Sequence, residues 1–420
     1  MLDSFLYPNG LRVVVDTNKN VKTVCVGVWI GSGSKNESDT QNGIAHFTEH
    51  MLFKGTPNLN PFEIADRFER VGAQVNAFTG KEYTCYYFKS VDDAAQDCFD
   101  TLSQIFFKSD YKQTELDKER NVIIEEINMV EDSPEDLCFD LIAKLNFGSG
   151  KLANTILGPI SNVSRFQKED IIDYTSHNYT PNNIVVAAAG NIDLQQIDKL
   201  INQYFLPNLG NQKPTRPTVD CTYMPATASK LIKDFEQSNI IMSYKSIPYN
   251  DKQMYTQSIL NVVLGGGMSS RLFQKVREEN GLCYSIYTTP LYYDQLGSFN
   301  VVCNNTPSNT GKVIDLITSE IDLLCQKGIT PSEFDRAKAQ LKAAFVYSQE
   351  SIQSCMNNAG KLMVSTGEVF DYQKRLQQME SVTMSDFTTF CNQILKNQKP
   401  TIAYVGKEID IDLHKYTNNI

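Results

Sequence analysis

Two of the chain's four histidines, His46 and His50, lie four residues apart in GIAHFTEHMLFKGT, residues 43–56, with Glu49 directly before the second. On a helix, residues three and four apart share a face. Both imidazoles then point one way and Glu49 lies beside them. Two imidazoles suit zinc, and a neighbouring carboxylate can take a proton from an activated water. Lys54 and Gly55 follow where a cation and a terminating glycine belong. The plain alternative is an amphipathic helix with two incidental histidines, but histidine is scarce in this chain and a glutamate inside the pair is not a chance pattern to expect.

A catalytic zinc takes a third protein ligand and keeps one position open. The best source is ELDKERNVIIEEINMVED, residues 115–132, which reads as a helix offering Glu119, Glu125 and Glu126. Residues three and four away from Glu126 are Val122, Ile123, Met129 and Val130, all apolar. Those around Glu125 are Asn121, Val122, Asn128 and Met129, half of them polar. Glu126 is therefore expected to face the core, where a carboxylate must be paired or bound to a metal. Glu119, seven residues earlier on the same face, can steady the site from behind. A buried ion pair between Glu126 and an arginine is the competing expectation.

The order HxxEH reverses the commoner HExxH and is that of the inverzincins. The whole stretch GIAHFTEHMLFKGT resembles the signature of the pitrilysin family of zinc metallopeptidases. It is most similar to the branch containing the mitochondrial processing peptidase and its bacterial relatives. YPNGLRVVV near the start and LGPISNV at 157–163 carry the resemblance along the chain. The resemblance implies one zinc per chain held by His46, His50 and Glu126, with Glu49 as the base and Glu119 as a supporting carboxylate. It also implies that VNAFTGKEYTCYY, residues 75–87, holds an edge strand. There Asn76, Ala77, Phe78 and Thr79 would present backbone groups to an extended peptide; read alone, the segment is an ordinary hairpin. In VREENGLCYSIY, Arg277 and Tyr284 match a pair that holds the substrate carbonyl and steadies developing negative charge. Read alone, they are a solvated helix residue and a rim tyrosine.

The elements that must position these groups repeat. Each half opens with strand-like runs, LRVVVD and TVCVGVWI in the first, KLIKDF and NIIMSYK in the second. Two helices follow, over 43–54 and 61–71, then over 252–264 and 268–279. Asn60, Pro61 and Gly72 supply a cap, a first-turn proline and a stop. Paired strands return as AQVNAF and YTCYYFKS, then as YSIYTT and GSFNVVC. Helices and a closing strand, NNIVVAAAG or TIAYVG, complete each half. This pattern predicts an α+β fold of two homologous sandwich domains, ββααββ, helices and β used twice. The second is degenerate at the metal site, where TQSILNVVL replaces HFTEH. LGGGMSSRLF, residues 264–273, lacks the lysine and spacing of a phosphate loop and reads as a tight connection between helices.

Proline and polar residues between Pro207 and Pro225 mark a linker. The expected domains are 1–208, carrying the metal, and 226–420, binding substrate, joined by 209–225. A length of 420 residues suits two domains. A net charge of −10 argues against a nucleic-acid partner. No apolar run approaches the ~18 residues of a membrane span, and MLDSFLYPNG lacks a signal peptide's basic start and apolar core. Ten scattered cysteines without a CxxC pair read as buried thiols of a reducing compartment. A cytoplasmic protein is expected, with a mature organellar form the alternative.

The functional expectation is a zinc endopeptidase acting on small-to-medium unfolded peptides in a dimeric chamber. Keeping the metal motif and the Arg–Tyr pair in one chain favours a homodimer over a heterodimer with a related subunit. The rivals are a non-catalytic scaffold or partner subunit and a metal-dependent hydrolase of a non-peptide.

Overall fold

Strands with one buried face build two sheets. The structure, a computed structural model, describes residues 2–210, 221–396 and 398–417. The first sheet contains β1 (Leu2–Leu6), β2 (Arg12–Thr17), β3 (Thr23–Ile30), β4 (Gln74–Thr79), β5 (Thr84–Val91) and β6 (Ile184–Gly190), in the order β1-β2-β6-β3-β5-β4. The second contains β7 (Ala228–Ile232), β8 (Ser238–Ser246), β9 (Cys283–Tyr292), β10 (Gly297–Asn305) and β11 (Thr401–Gly406), in the order β7-β11-β8-β10-β9. Without β1 the two orders correspond strand for strand. Each has one parallel pair, β2 with β6 and β7 with β11, and antiparallel pairing elsewhere. The duplication inferred from pattern is therefore a duplication of topology, and the fold is α+β. The added strand β1 was not expected: LDSFL is short, shows no clean alternation and lies half-exposed at the sheet's rim.

The helices of the first half follow their punctuation. α1 spans Ile44–Leu52 and α2 spans Pro61–Glu69. Asn60 accepts from the Glu63 amide while the Glu63 carboxylate accepts from the Asn60 amide, a reciprocal cap. α3 (Ala95–Lys108) and α4 (Gln113–Glu131) complete the set that matters for the site. In the second half a helix runs over Met254–Leu264, but the one expected at 268–279 is shorter, with wide π-type turns over Phe273–Glu278. Gly265 explains part of this. A Cβ there would lie 2.5 Å from the Thr288 amide, so the chain must pass β9 closely before it can coil again.

Two compact units result. One gathers the described residues within Met1–Ile127, Asn154–Val219 and Val346–Asp371; the other gathers those within Asn128–Ala153, Asp220–Phe345 and Tyr372–Ile420. Most of the expected linker, residues 211–220, lies outside the described residues. Each unit thus includes a helix encoded beyond that segment. In the first, Val24, Val26, Val28 and Ile30 of β3 pack with Leu52, Ile64, Phe68 and Phe99. The opposite face of β3 meets the helix Ile352–Thr366, where the Trp29 indole N–H points at the Met356 sulfur, 3.3 Å away. In the second, α5 (Pro134–Phe147) sets Leu137, Cys138 and Ile142 against Ile241, Val302, Ala403 and Val405. No disulfide joins any of the ten cysteines.

The helix Ile352–Thr366 lies so close to β3 that a Cβ on Gly360 would fall 2.2 Å from the Trp29 indole nitrogen. Alanine favours a helix over glycine by about 1 kcal/mol, but overpacking a filled core costs about 1–3 kcal/mol. Trp29 is fully buried, so overpacking should win. Gly360→Ala is expected to lower stability in urea unfolding; a more stable variant would show that the contact relaxes freely.

Candidate metal centre

α1 and α4 meet along an apolar seam. Ile44, Ala45, Phe47 and Met51 from α1 pack with Leu116, Ile123 and Ile127 from α4. That seam consumes one side of each helix and leaves the adjacent sides facing each other at its edge. There α1 presents His46 and His50, whose ring centroids are 4.5 Å apart. α4 presents Glu119 and Glu126, two turns apart on one side.

Glu126 Oε2 lies 3.6 Å from His46 Nε2 and 3.6 Å from His50 Nε2. These distances are too long for good hydrogen bonds. They are close to the spacing of two ligands on a tetrahedral zinc, about 3.4 Å for metal–ligand bonds near 2.1 Å. Among the described residues His46, His50 and Glu126 form the one group of three metal-ligating side chains whose donor atoms all lie within 4.8 Å of one another. Burial, with the His50 charge beside it, pushes His46 down to about 3. The ring is therefore neutral at ordinary pH with a lone pair to offer. The donor set fits zinc.

Glu126 is not a core residue, as its apolar neighbours had suggested. Val122 and Met129 are 50% and 67% exposed, and only Ile123 of the four is fully buried. The face of α4 that carries Glu126 opens at the cluster, and the carboxylate is half-buried. Among the described residues its ion-pair contacts are the two imidazoles, with no arginine among them. Glu125 is exposed.

Glu119 is buried behind His50. Its Oε1 accepts from His50 Nδ1 at 2.8 Å and its Oε2 pairs with Lys54 Nζ at 2.8 Å. Burial pushes this carboxyl up, but the hydrogen bonds from His50 and Lys54 together outweigh it and hold the carboxyl below its usual range. A proton held on Nδ1 leaves Nε2 free on the metal side. Lys54 therefore has a more specific place than the helix-end cation read from sequence. Its spacing of four from His50 is the signal that could have found it.

Glu49 lies beside the cluster, and Thr79 Oγ1 donates to its Oε2 at 2.5 Å. Burial raises the Glu49 carboxyl above its ordinary range, against the pull of that hydrogen bond. Thr79 ends β4, the outermost strand of its sheet, which among the described residues pairs only with β5. Asn76, Ala77 and Phe78 precede it there. Ala77 packs on the core, while Phe78 meets Trp29 on the other face at 5.5 Å between rings. The hydroxyl of Thr79, not only its backbone, thus belongs to the site; alternation alone could not reveal its partner. Arg277 and Tyr284 sit in the other unit, brought to each other. The guanidinium lies 5.2 Å from the Tyr284 ring centroid and 4.6 Å from that of Phe273. Tyr284 is 81% exposed.

Residues 12–160 match the family described as Insulinase (Peptidase family M16), and residues 165–341 match the Peptidase M16 inactive domain. The chain is 35% identical over 399 residues to YmxG of Bacillus subtilis, named an uncharacterized zinc protease, covering 94% of this chain and 96% of that one. A zinc protease of Streptomyces coelicolor, likewise named, is 33% identical over 405 residues, with 95% and 88% covered. Among solved structures, a protease from Helicobacter pylori superposes with a TM-score of 0.90 at 23% identity, covering 96% of this chain and 99% of that one. A peptidase M16 inactive domain from Pseudomonas fluorescens gives 0.91 at 18% identity, covering 98% and 99%. At these identities the two structures speak to the fold alone.

Removing a carboxylate that orients a ligating histidine typically weakens metal binding about 10–100-fold. Glu119→Gln keeps the shape, withdraws the charge behind His50 and leaves Lys54 unpaired. Zinc affinity measured by chelator competition is expected to fall within that range. An unchanged affinity would remove Glu119 from the centre.

Proposed function

The chain belongs to peptidase family M16 and is a zinc metalloprotease, and we propose that it is an endopeptidase cutting small-to-medium unfolded peptides bound in extended form. The observation that carries this reading is the placement of Glu126 Oε2 at 3.6 Å from both ligand imidazoles, with Glu49 alongside.

His46, His50 and Glu126 would hold the zinc, which would supply Lewis acidity toward a water and the scissile carbonyl. Glu49 takes the attacking water's proton and delivers it to the leaving amine. Its raised carboxyl makes it a stronger base than an exposed glutamate. The Thr79 hydroxyl holds Oε2, which orients Oε1 for the transfer. A peptide adds to the open edge of β4 as a further strand, hydrogen-bonding the backbone of Asn76 to Thr79. Strand addition needs an unfolded segment, which is why folded proteins are poor candidates. The match of residues 165–341 to the inactive domain agrees with a second unit devoted to binding.

Arg277 and Tyr284 serve the developing oxyanion in this scheme. We place them in trans: chains pair as homodimers, and the second unit of one protomer completes the metal centre of its partner. The support is the presence of both motifs in a single chain and the exposure of the Arg277–Tyr284 pair. Ten cysteines, none of them in a disulfide, support a reducing, cytoplasmic setting. Among the described residues no helix is long and apolar enough to cross a membrane.

Zinc-loaded wild type and Glu49→Gln should be compared on a mixed peptide pool by mass spectrometry. Loss of the base is expected to slow cleavage by about 10²–10⁴-fold. No cleavage by either protein would favour a scaffold, and equal cleavage would remove Glu49 from the mechanism. Mixing Glu49→Gln with Tyr284→Phe chains tests the trans arrangement. Mixed dimers should recover activity that neither variant has alone; no recovery means that the pair does not act across protomers.

A further inference from the structure

The two ligand histidines are held in different ways. His50 is oriented through its ring by Glu119. His46 has no such support, because among the described residues its buried Nδ1 finds no hydrogen-bond partner. Its position therefore depends on the backbone of α1, and that backbone begins unusually. The residue preceding the helix is Gly43, at φ +101, and it has no side chain with which to cap the first turn. A Cβ at Gly43 would lie 2.5 Å from the Leu157 carbonyl, so no capping side chain fits there.

Another residue does the capping. Glu37 is 2% exposed. Its Oε1 accepts from the Ala45 amide at 2.7 Å, and its Oε2 accepts from the Gly43 amide and from Asn42 Nδ2, both at 2.9 Å. Ala45 is the residue before His46. Asn42 Nδ2 also donates to the Thr155 carbonyl at 2.8 Å, and Asn162 Nδ2 donates to the carbonyls of Asp39 and Asn42. The turn before α1 is thus clamped to the LGPISNV stretch. Gly158 is required there, since a Cβ would fall 2.2 Å from the Asn42 carbonyl oxygen.

We infer that Glu37 is a positioning residue for the metal centre: its carboxylate holds the first turn of α1 and so sets where His46 stands. Three donors converge on its two oxygens, an arrangement that only an acceptor-only carboxylate satisfies fully. The donors lie at the positive end of the helix, which also favours the charge. Burial works the other way and pushes the carboxyl up to about 7, against the pull of those donors and of Lys81.

This inference rests on the zinc centre but not on which peptide is cut. Glu37→Gln is the test. Its amide nitrogen must face one of the three donors, which breaks the clamp without changing volume. Zinc affinity by chelator competition is expected to weaken by at least about tenfold. The visible spectrum of the cobalt-substituted protein should change, and kcat should fall with KM little altered. Wild-type zinc affinity and cobalt spectrum in a variant that merely melts at lower temperature would overturn the inference. Should Glu37→Gln not fold, Glu37→Asp carries the same test, since it keeps the charge but withdraws it from Ala45. Metal affinity and the cobalt spectrum decide the matter even if wild type binds zinc and cuts no peptide. That last result would count against the proposed function alone.

Discussion

Three donor atoms from two helices must come within 4.8 Å of one another and stay apart enough to share a metal. Nothing in their own chemistry holds them there. A carboxylate near a neutral, buried imidazole gains little from hydrogen bonds at 3.6 Å. The geometry is imposed from outside, by the apolar seam between α1 and α4 and by the polar clamps at both ends of α1. At the C-terminal end Lys54 and His50 share Glu119. At the N-terminal end Glu37 gathers the first-turn donors. Each clamp satisfies groups whose burial would otherwise cost free energy.

The site is also crowded with negative charge. Glu49, Glu119 and Glu126 lie around one short helix, and Lys54 is paired with Glu119. Such a set is poorly balanced until a divalent cation joins it. This is the physical sense in which the chain is built for its metal. Burial raises both carboxyls; at Glu119 the hydrogen bonds from His50 and Lys54 outweigh it, whereas at Glu49 the Thr79 hydroxyl and the His50 charge do not.

Strand order is the firmest sign of duplication, and the two copies have diverged where chemistry sits. In the second copy the helix Met254–Leu264 follows the second strand as α1 follows β3, with Gln257 buried against Ser246 instead of a metal cluster. The outer strand β9 carries Tyr284 near its start, whereas the first copy's outer strand carries Thr79 at its end. One scaffold can therefore carry a metal cluster in one unit and different side chains at the corresponding helix of the other without changing its topology.

Much of this was legible in the residues. Period-2 runs such as TVCVGVWI, the Asn60–Pro61 start and the HFTEH spacing are local, and local geometry fixes their outcome. The choice of Glu126 over Glu125 also came from helix faces, although for a partly mistaken reason: apolar neighbours can line an open face as well as a core. What local pattern could not show is contact between distant segments. That Ile352–Thr366 covers β3, that Thr79 reaches Glu49 and that Glu37 caps α1 depend on packing and burial. Sequence alone determined which groups are chemically able to bind zinc and move a proton, because side-chain identity and helical period suffice for that. Tertiary structure decided how those groups are aimed and charged, because desolvation and hydrogen-bond partners exist only once remote chain segments meet.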